Sequence, residues 1–152
     1  MQAVPMTDPI DIVVATARHT AVVARTTSWE EFPSLWVELL DEVYRFVRAH
    51  GATQDGQNVM VYLDDTPRVE VGVEVSAPFT ADGPVVSSGL PVGLAATTVH
   101  RGSYDGLGDT HLAIREWCAE HGHEANGIRW EVYGDWHENP DELETQIYYL
   151  LA

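Results

Sequence analysis

Two hydrophobic periods alternate along the chain, and the pair occurs twice. Phe32, Leu35, Leu39, Val43, Phe46 and Val47 recur at three and four residues, with Trp36 and Leu40 alongside, which is the stripe of an amphipathic helix. Ser28-Trp29-Glu30-Glu31 has the form of a capping box, and Pro33 is tolerated only in a helix's first turn, so the helix starts here and ends at Gly51. Upstream, Ile10-Asp11-Ile12-Val13-Val14 opens a β-rich stretch to about Thr27, broken near Arg18-His19. Residues 1–9, with Pro5 and Pro9 around Thr7 and Asp8, lack a period and read as a loose lead-in. Downstream, Val59, Val61 and Leu63 alternate with Met60 and Tyr62. After the turn Asp64-Asp65-Thr66-Pro67, Val69, Val71, Val73 and Val75 alternate with Glu70, Gly72 and Glu74. Residues 77–91, with Pro78, Gly83, Pro84, Gly89 and Pro91, read as a linker rather than an element.

The pattern then returns at a fixed offset. Ala24-Arg25-Thr26-Thr27 realigns with Ala95-Ala96-Thr97-Thr98, Ala49-His50-Gly51 with Glu120-His121-Gly122, and Val61-Tyr62 with Val132-Tyr133, each 71 positions on. Val92–His100, Asp105–Gly122, Ile128–Asp135 and Leu143–Leu151 supply strand, helix, strand and strand of a second unit. The expected fold is therefore α+β and a single domain over 1–152. It has tandem, pseudo-two-fold βαββ units (about 10–76 and about 92–152), an antiparallel sheet with helices on one face, and a groove between the halves.

Alternation assigns faces if one choice is made. With Val59, Val61, Leu63 and the valines of 69–75 under the first helix, Met60, Tyr62, Glu70 and Glu74 point away from it. Trp130 and Val132 then lie under the second helix, and Arg129, Glu131 and Tyr133 face the helix-free side. With Ile147 and Tyr149 in the core, Glu144, Gln146 and Tyr148 join them. The offset lays Met60 and Tyr62 on Glu131 and Tyr133, so a two-fold axis gathers these four into a crevice with aromatic walls and one carboxylate.

Charge narrows the partners. The 152 residues carry 24 acidic and 8 basic side chains, a formal net charge of −16, and no Lys/Arg cluster. Such a surface repels nucleic acid and anionic membranes and favours cationic ligands or basic protein surfaces, although acidity also serves solubility alone. One cysteine, Cys118, excludes an intrachain disulfide, and no signal peptide or membrane span is evident, so a cytoplasmic protein is expected.

His100-Arg101-Gly102-Ser103-Tyr104 ahead of the second helix, Trp117 on it, Glu131-Val132-Tyr133 and the closing strand 143–151 together resemble the GyrI-like small-molecule-binding family, also known as the AraC-type effector-binding domain. The resemblance implies the duplicated fold above with ligands bound between the halves. It places a carboxylate that receives cationic, aromatic compounds at Glu131. It also brings in hydrolases that open strained cyclopropane rings and gyrase-inhibitory proteins. Thr145-Gln146 holds an amide where many members have an acidic residue, and with no helix-turn-helix ahead of the domain the expectation is a stand-alone member.

The leading reading is a binding groove for hydrophobic, aromatic or cationic small molecules, formed by Glu131, Tyr133, Tyr62, Met60, Tyr104, Tyr148, Trp36 and His100, without metal or cofactor. The second is a cofactor-independent hydrolase with Glu131 as general acid/base and Tyr133 beside it. The third is an interaction module for a protein partner such as gyrase or a regulator. Glu131 and Arg129 also fit a solvated same-face pair, and His100 a plain turn into the helix. Trp36 also fits the core, as does Cys118, while His121-Gly122-His123 reads as a solvated loop. His19, His50, His111 and His137 form no recognisable constellation.

Overall fold

A computed structural model describes residues 9–50 and 53–152, so the lead-in before Pro9 and the helix stop at Gly51 lie outside the described residues. The described residues form eight strands and two helices: β1 (Asp11–Ala15), β2 (His19–Thr26), α1 (Phe32–His50), β3 (Gln54–Tyr62), β4 (Arg68–Val75), β5 (Val85–Gly89), β6 (Gly93–Arg101), α2 (Leu107–Glu120), β7 (Ala125–Tyr133) and β8 (Glu144–Leu151). No helix among them is long and apolar enough to cross a membrane.

The stripe that predicts α1 is the one it buries: Phe32, Leu35, Leu39, Val43, Phe46 and Val47. Ser28 caps the approach, its Oγ accepting from the Glu31 N–H at 3.1 Å. The narrower α2 buries Thr110, Ile114 and Cys118, one residue per turn. A 3-10 turn, Tyr104–Gly106, precedes it, with Ser103 Oγ accepting from the Asp105 N–H.

All eight strands form one antiparallel sheet in the order β1-β6-β8-β7-β3-β4-β2-β5. Its middle contains the two βαββ units in mirrored order, joined at β3 and β7, where Met60 pairs with Glu131 and Val59 with Val132. Met60 and Glu131, 71 apart, thus meet at the join, and the offset exchanges the flanking pairs Val59–Val132 and Val61–Trp130, as a two-fold axis between Met60 and Glu131 requires.

The sheet edges are exchanged between the units: β1, which precedes β2 in the chain, pairs with β6, and β5, which precedes β6, pairs with β2. Three residues, Thr16–Arg18, link β1 to β2. They span at most about 14 Å, whereas a flat sheet would separate those strands by about 29 Å. The sheet therefore coils until its edges approach. Leu90 donates its N–H to the Arg18 carbonyl at 3.0 Å, tying one crossover to the other. They close over the helix-free face, which encloses Val59, Val61, Ala95, Trp130 and Val132.

The paired strands β2 and β4 approach very closely at Gly72. A Cβ on Gly72 would lie 1.8 Å from the Ala21 carbonyl oxygen, so only glycine fits there.

Two sequence expectations are corrected. Val85–Gly89 is a strand, not linker: Val85 is buried beneath α1, and Ser88 bonds Glu70 at 2.7 Å. The faces of β3 and β7 are also reversed. Tyr62 pairs with Val69 and Met60 with Val71, so even positions of β3 share a face with odd positions of β4. Met60 and Tyr62 therefore lie under α1 with the valines of β4, while Val59 and Val61 join Trp130 and Val132 on the opposite face.

Candidate functional site

Reversal of those faces puts the crevice on the helix-bearing side of the sheet. Met60, Tyr62, Glu131 and Tyr133 form its floor, and α1 and α2 its walls, around a cavity of about 1020 Å³. Trp36, Leu40 and Tyr44 line it from α1, and Leu107, His111 and Arg115 from α2. These two triplets are equivalent under the 71-residue offset. One wall is apolar and aromatic where the other carries an imidazole and a guanidinium.

Glu131 is 3% exposed. Its Oε1 accepts from the hydroxyls of Tyr62 at 2.8 Å and Tyr133 at 2.6 Å, and its Oε2 faces His111 Nε2 at 2.7 Å. His111 Nδ1 meets the Tyr149 hydroxyl at 2.6 Å, and Arg115 donates to the same hydroxyl at 3.2 Å. A guanidinium can only donate, so the Tyr149 oxygen accepts from Arg115. His111 thus bridges the Tyr149 hydroxyl and the Glu131 carboxylate through its two ring nitrogens.

Burial pushes the Glu131 carboxyl up, but the hydrogen bond and charge of His111 and the bonds from Tyr133 and Tyr62 outweigh it, and the group sits below its ordinary value. Burial, followed by the charge of Glu131, holds the Tyr62 and Tyr133 hydroxyls far above theirs, so both remain donors.

A pH dependence follows from the lowered carboxyl. The fold favours the ionised form, so its contribution to stability is complete above the ordinary value of 4.5 and is lost as pH falls through the lower folded value. Urea midpoints measured from about pH 6 to about pH 3 are expected to fall more steeply for the wild type than for Glu131→Gln. Parallel acid limbs would contradict this.

Aromatic rings close both ends of the floor. The Tyr104 ring meets Tyr133 edge-on at 5.6 Å, while Trp29 and Phe32 pack on Tyr62 at 5.5 and 5.7 Å. At the Tyr62 end, the Arg129 guanidinium lies 5.5 Å from the centre of the Trp29 ring and pairs with Asp65 at 2.8 Å.

Of the residues singled out from sequence, the structure brings together Glu131, Tyr133, Tyr62, Met60, Tyr104 and Trp36. Tyr148 lies on the opposite face, stacked on Trp130 at 4.9 Å, because alternation along β8 sends Tyr149 to the groove. His100 is buried away from the cavity, its ring nitrogens bonded to Thr110 Oγ1 at 2.7 Å and the Ser103 carbonyl at 2.8 Å, where it ties β6 to the start of α2. His111, Arg115 and Tyr149 were missed. The offset pointed to the first two, since it carries the wall residues Leu40 and Tyr44 onto them.

The model of the GyrI-like small molecule binding domain matches residues 8–151 of the chain. Among solved structures, the fold is similar to the EcmrR C-terminal domain, with a TM-score of 0.81, 16% identity and coverage of 95% of this chain and 97% of that one. SAV2435 bound to tetraphenylphosphonium is similar at a TM-score of 0.65 and 8% identity, over 95% and 94% of the two chains. A hydrolase from Listeria innocua is similar at 0.63 and 10%, over 94% and 91%. At these identities the likeness is one of fold. No curated protein matches the chain.

Proposed function

The chain belongs to the GyrI-like small-molecule-binding domain family, and within it we propose that this member captures hydrophobic organic cations between α1 and α2, with Glu131 as their countercharge. The observation that carries this reading is an ionised, buried carboxylate opening on an aromatic groove and held by tyrosine and histidine donors. The cavity of about 1020 Å³ lies at the upper end of the roughly 300–1,000 Å³ of small-molecule sites. Each ring facing a cation contributes about 0.5–2 kcal/mol according to desolvation. An aromatic cation of the kind bound to SAV2435 fits these requirements.

The same observation argues against Glu131 as the base of a hydrolase. Both carboxylate oxygens already accept hydrogen bonds and the group is held below its ordinary value, so it has little tendency to take a proton from water.

Titration with tetraphenylphosphonium, followed by tryptophan and tyrosine fluorescence, tests the reading, with triphenylphosphine oxide as the neutral aromatic control. Saturable binding of the cation is expected, about tenfold or more tighter than the neutral compound. Equal affinities would remove the electrostatic role. A cyclopropane-bearing aromatic recovered with one added water would establish hydrolysis instead.

A further inference from the structure

Under the two-fold axis, Arg129 is the counterpart of Asn58. Asn58 is neutral and accepts the Tyr44 hydroxyl. Arg129 instead brings a permanent charge into the opposite corner. Its side chain is only 12% exposed, and its guanidinium lies 5.5 Å from the Trp29 ring centre and 5.7 Å from that of Tyr62. Two aromatic faces around a cation are what an organic cation would itself seek, so this corner is a cation-binding box already filled from within. The Tyr62 ring belongs to both corners: its face meets Arg129 and its hydroxyl bonds Glu131. Arg129 and Glu131 are two apart on β7, about 7 Å along one face.

Asp65 pairs with Arg129, but its side chain is 91% exposed, so water screens it and leaves the guanidinium's field inside the groove largely uncancelled. The Trp29 indole N–H bonds the Asp65 carbonyl at 3.0 Å and holds the box shut at its outer side. The other basic side chain lining the groove, Arg115, is exposed and engaged with Tyr149.

We propose that Arg129 is a charge filter: resident in the Trp29–Tyr62 box, it makes the groove select monocations, with their charge at Glu131, and reject dications. The inference rests on the cation-binding reading above. Glu131 is the buried carboxylate of the groove, Asp65 and Asp135 lining it at exposed, water-screened positions, and a second positive centre on the same molecule is driven toward a guanidinium in a water-poor corner. Ligands with one positive end and a neutral or hydrogen-bond-accepting far end are the class admitted.

Ethidium and propidium test this, since they share a phenanthridinium ring and propidium adds a tethered quaternary ammonium. The wild-type chain is expected to bind ethidium about tenfold tighter than propidium. R129M should bring the ratio to within about twofold and R129K should retain it. An unchanged ratio in R129M, with ethidium binding still lost in Glu131→Gln, would overturn the filter and leave the cation site standing. If wild-type binding of either dye does not depend on Glu131, the cation site itself fails and the filter with it.

Discussion

Glu131→Gln is expected to weaken tetraphenylphosphonium on the order of a hundredfold while a neutral triaryl compound changes by less than about threefold. A unit charge about 6 Å from the carboxylate, at an effective dielectric near 20, is attracted by about 3 kcal/mol, which corresponds to roughly that factor. Gln is the informative replacement because it preserves shape. Its amide oxygen can still accept from Tyr62 and Tyr133, but its NH₂ then faces His111 Nε2, donor against donor, and one of the two must turn away. That rearrangement costs some stability, so calorimetric titration should be accompanied by thermal melts. Equal losses for cation and neutral compound would mean that the groove has been disturbed rather than discharged.

Gly72→Ala is expected to be the most damaging single methyl in the sheet. The new carbon would meet the Ala21 carbonyl oxygen at 1.8 Å and the Val22 Cα at 2.8 Å, both backbone atoms that cannot turn aside. Relief requires β2 to withdraw from β4, although Ala21, Val22 and Val23 are packed without room to move. A loss of about 3–5 kcal/mol follows, or a fall in Tm of about 10 °C or more. Gly108, where an added Cβ meets nothing within 4 Å, supplies the control, and Gly108→Ala should melt near or above the wild type. A melt of Gly72→Ala within about 2 °C of the wild type would show that the two strands are not pinned.

Much of this architecture was legible because its signals are local or repeated. The α1 stripe depends on spacing within one segment, and the 71-residue offset locates the second unit and the meeting of Met60, Tyr62, Glu131 and Tyr133. What the sequence concealed depends on relations between strands. Alternation divides β3 into two sets, but which set shares a face with the valines of β4 is decided by the parity of the hairpin connection. One residue of slip inverts every assignment, as it did for Trp130 and Val132. Val85–Gly89 was hidden by its Pro and Gly neighbours, since an edge strand of five residues needs little more than a partner. His111 was set aside because its partner Glu131 lies on β7, 20 positions away. Tyr149 was read as core, and half of that holds: its ring packs with Ile114 and Cys118 while its hydroxyl reaches the groove. An amphipathic side chain is assigned to one compartment by pattern but belongs to two.

The exchanged sheet edges have a further consequence for how the chain reaches this state. Joining β1 to β6 pairs Asp11 with Thr97, and joining β5 to β2 pairs Val85 with Val23, so both edges close long loops that contain α1, β3 and β4 of the first unit. Those closures depend on loop entropy rather than on local preference, and they place the slow part of folding at the margins of the sheet rather than at its helices. A cut within 77–91 would leave two fragments that each need the other to cover a bare strand, so the fragments should associate on mixing rather than fold apart, and hydrogen exchange in the intact chain should report one cooperative opening rather than two.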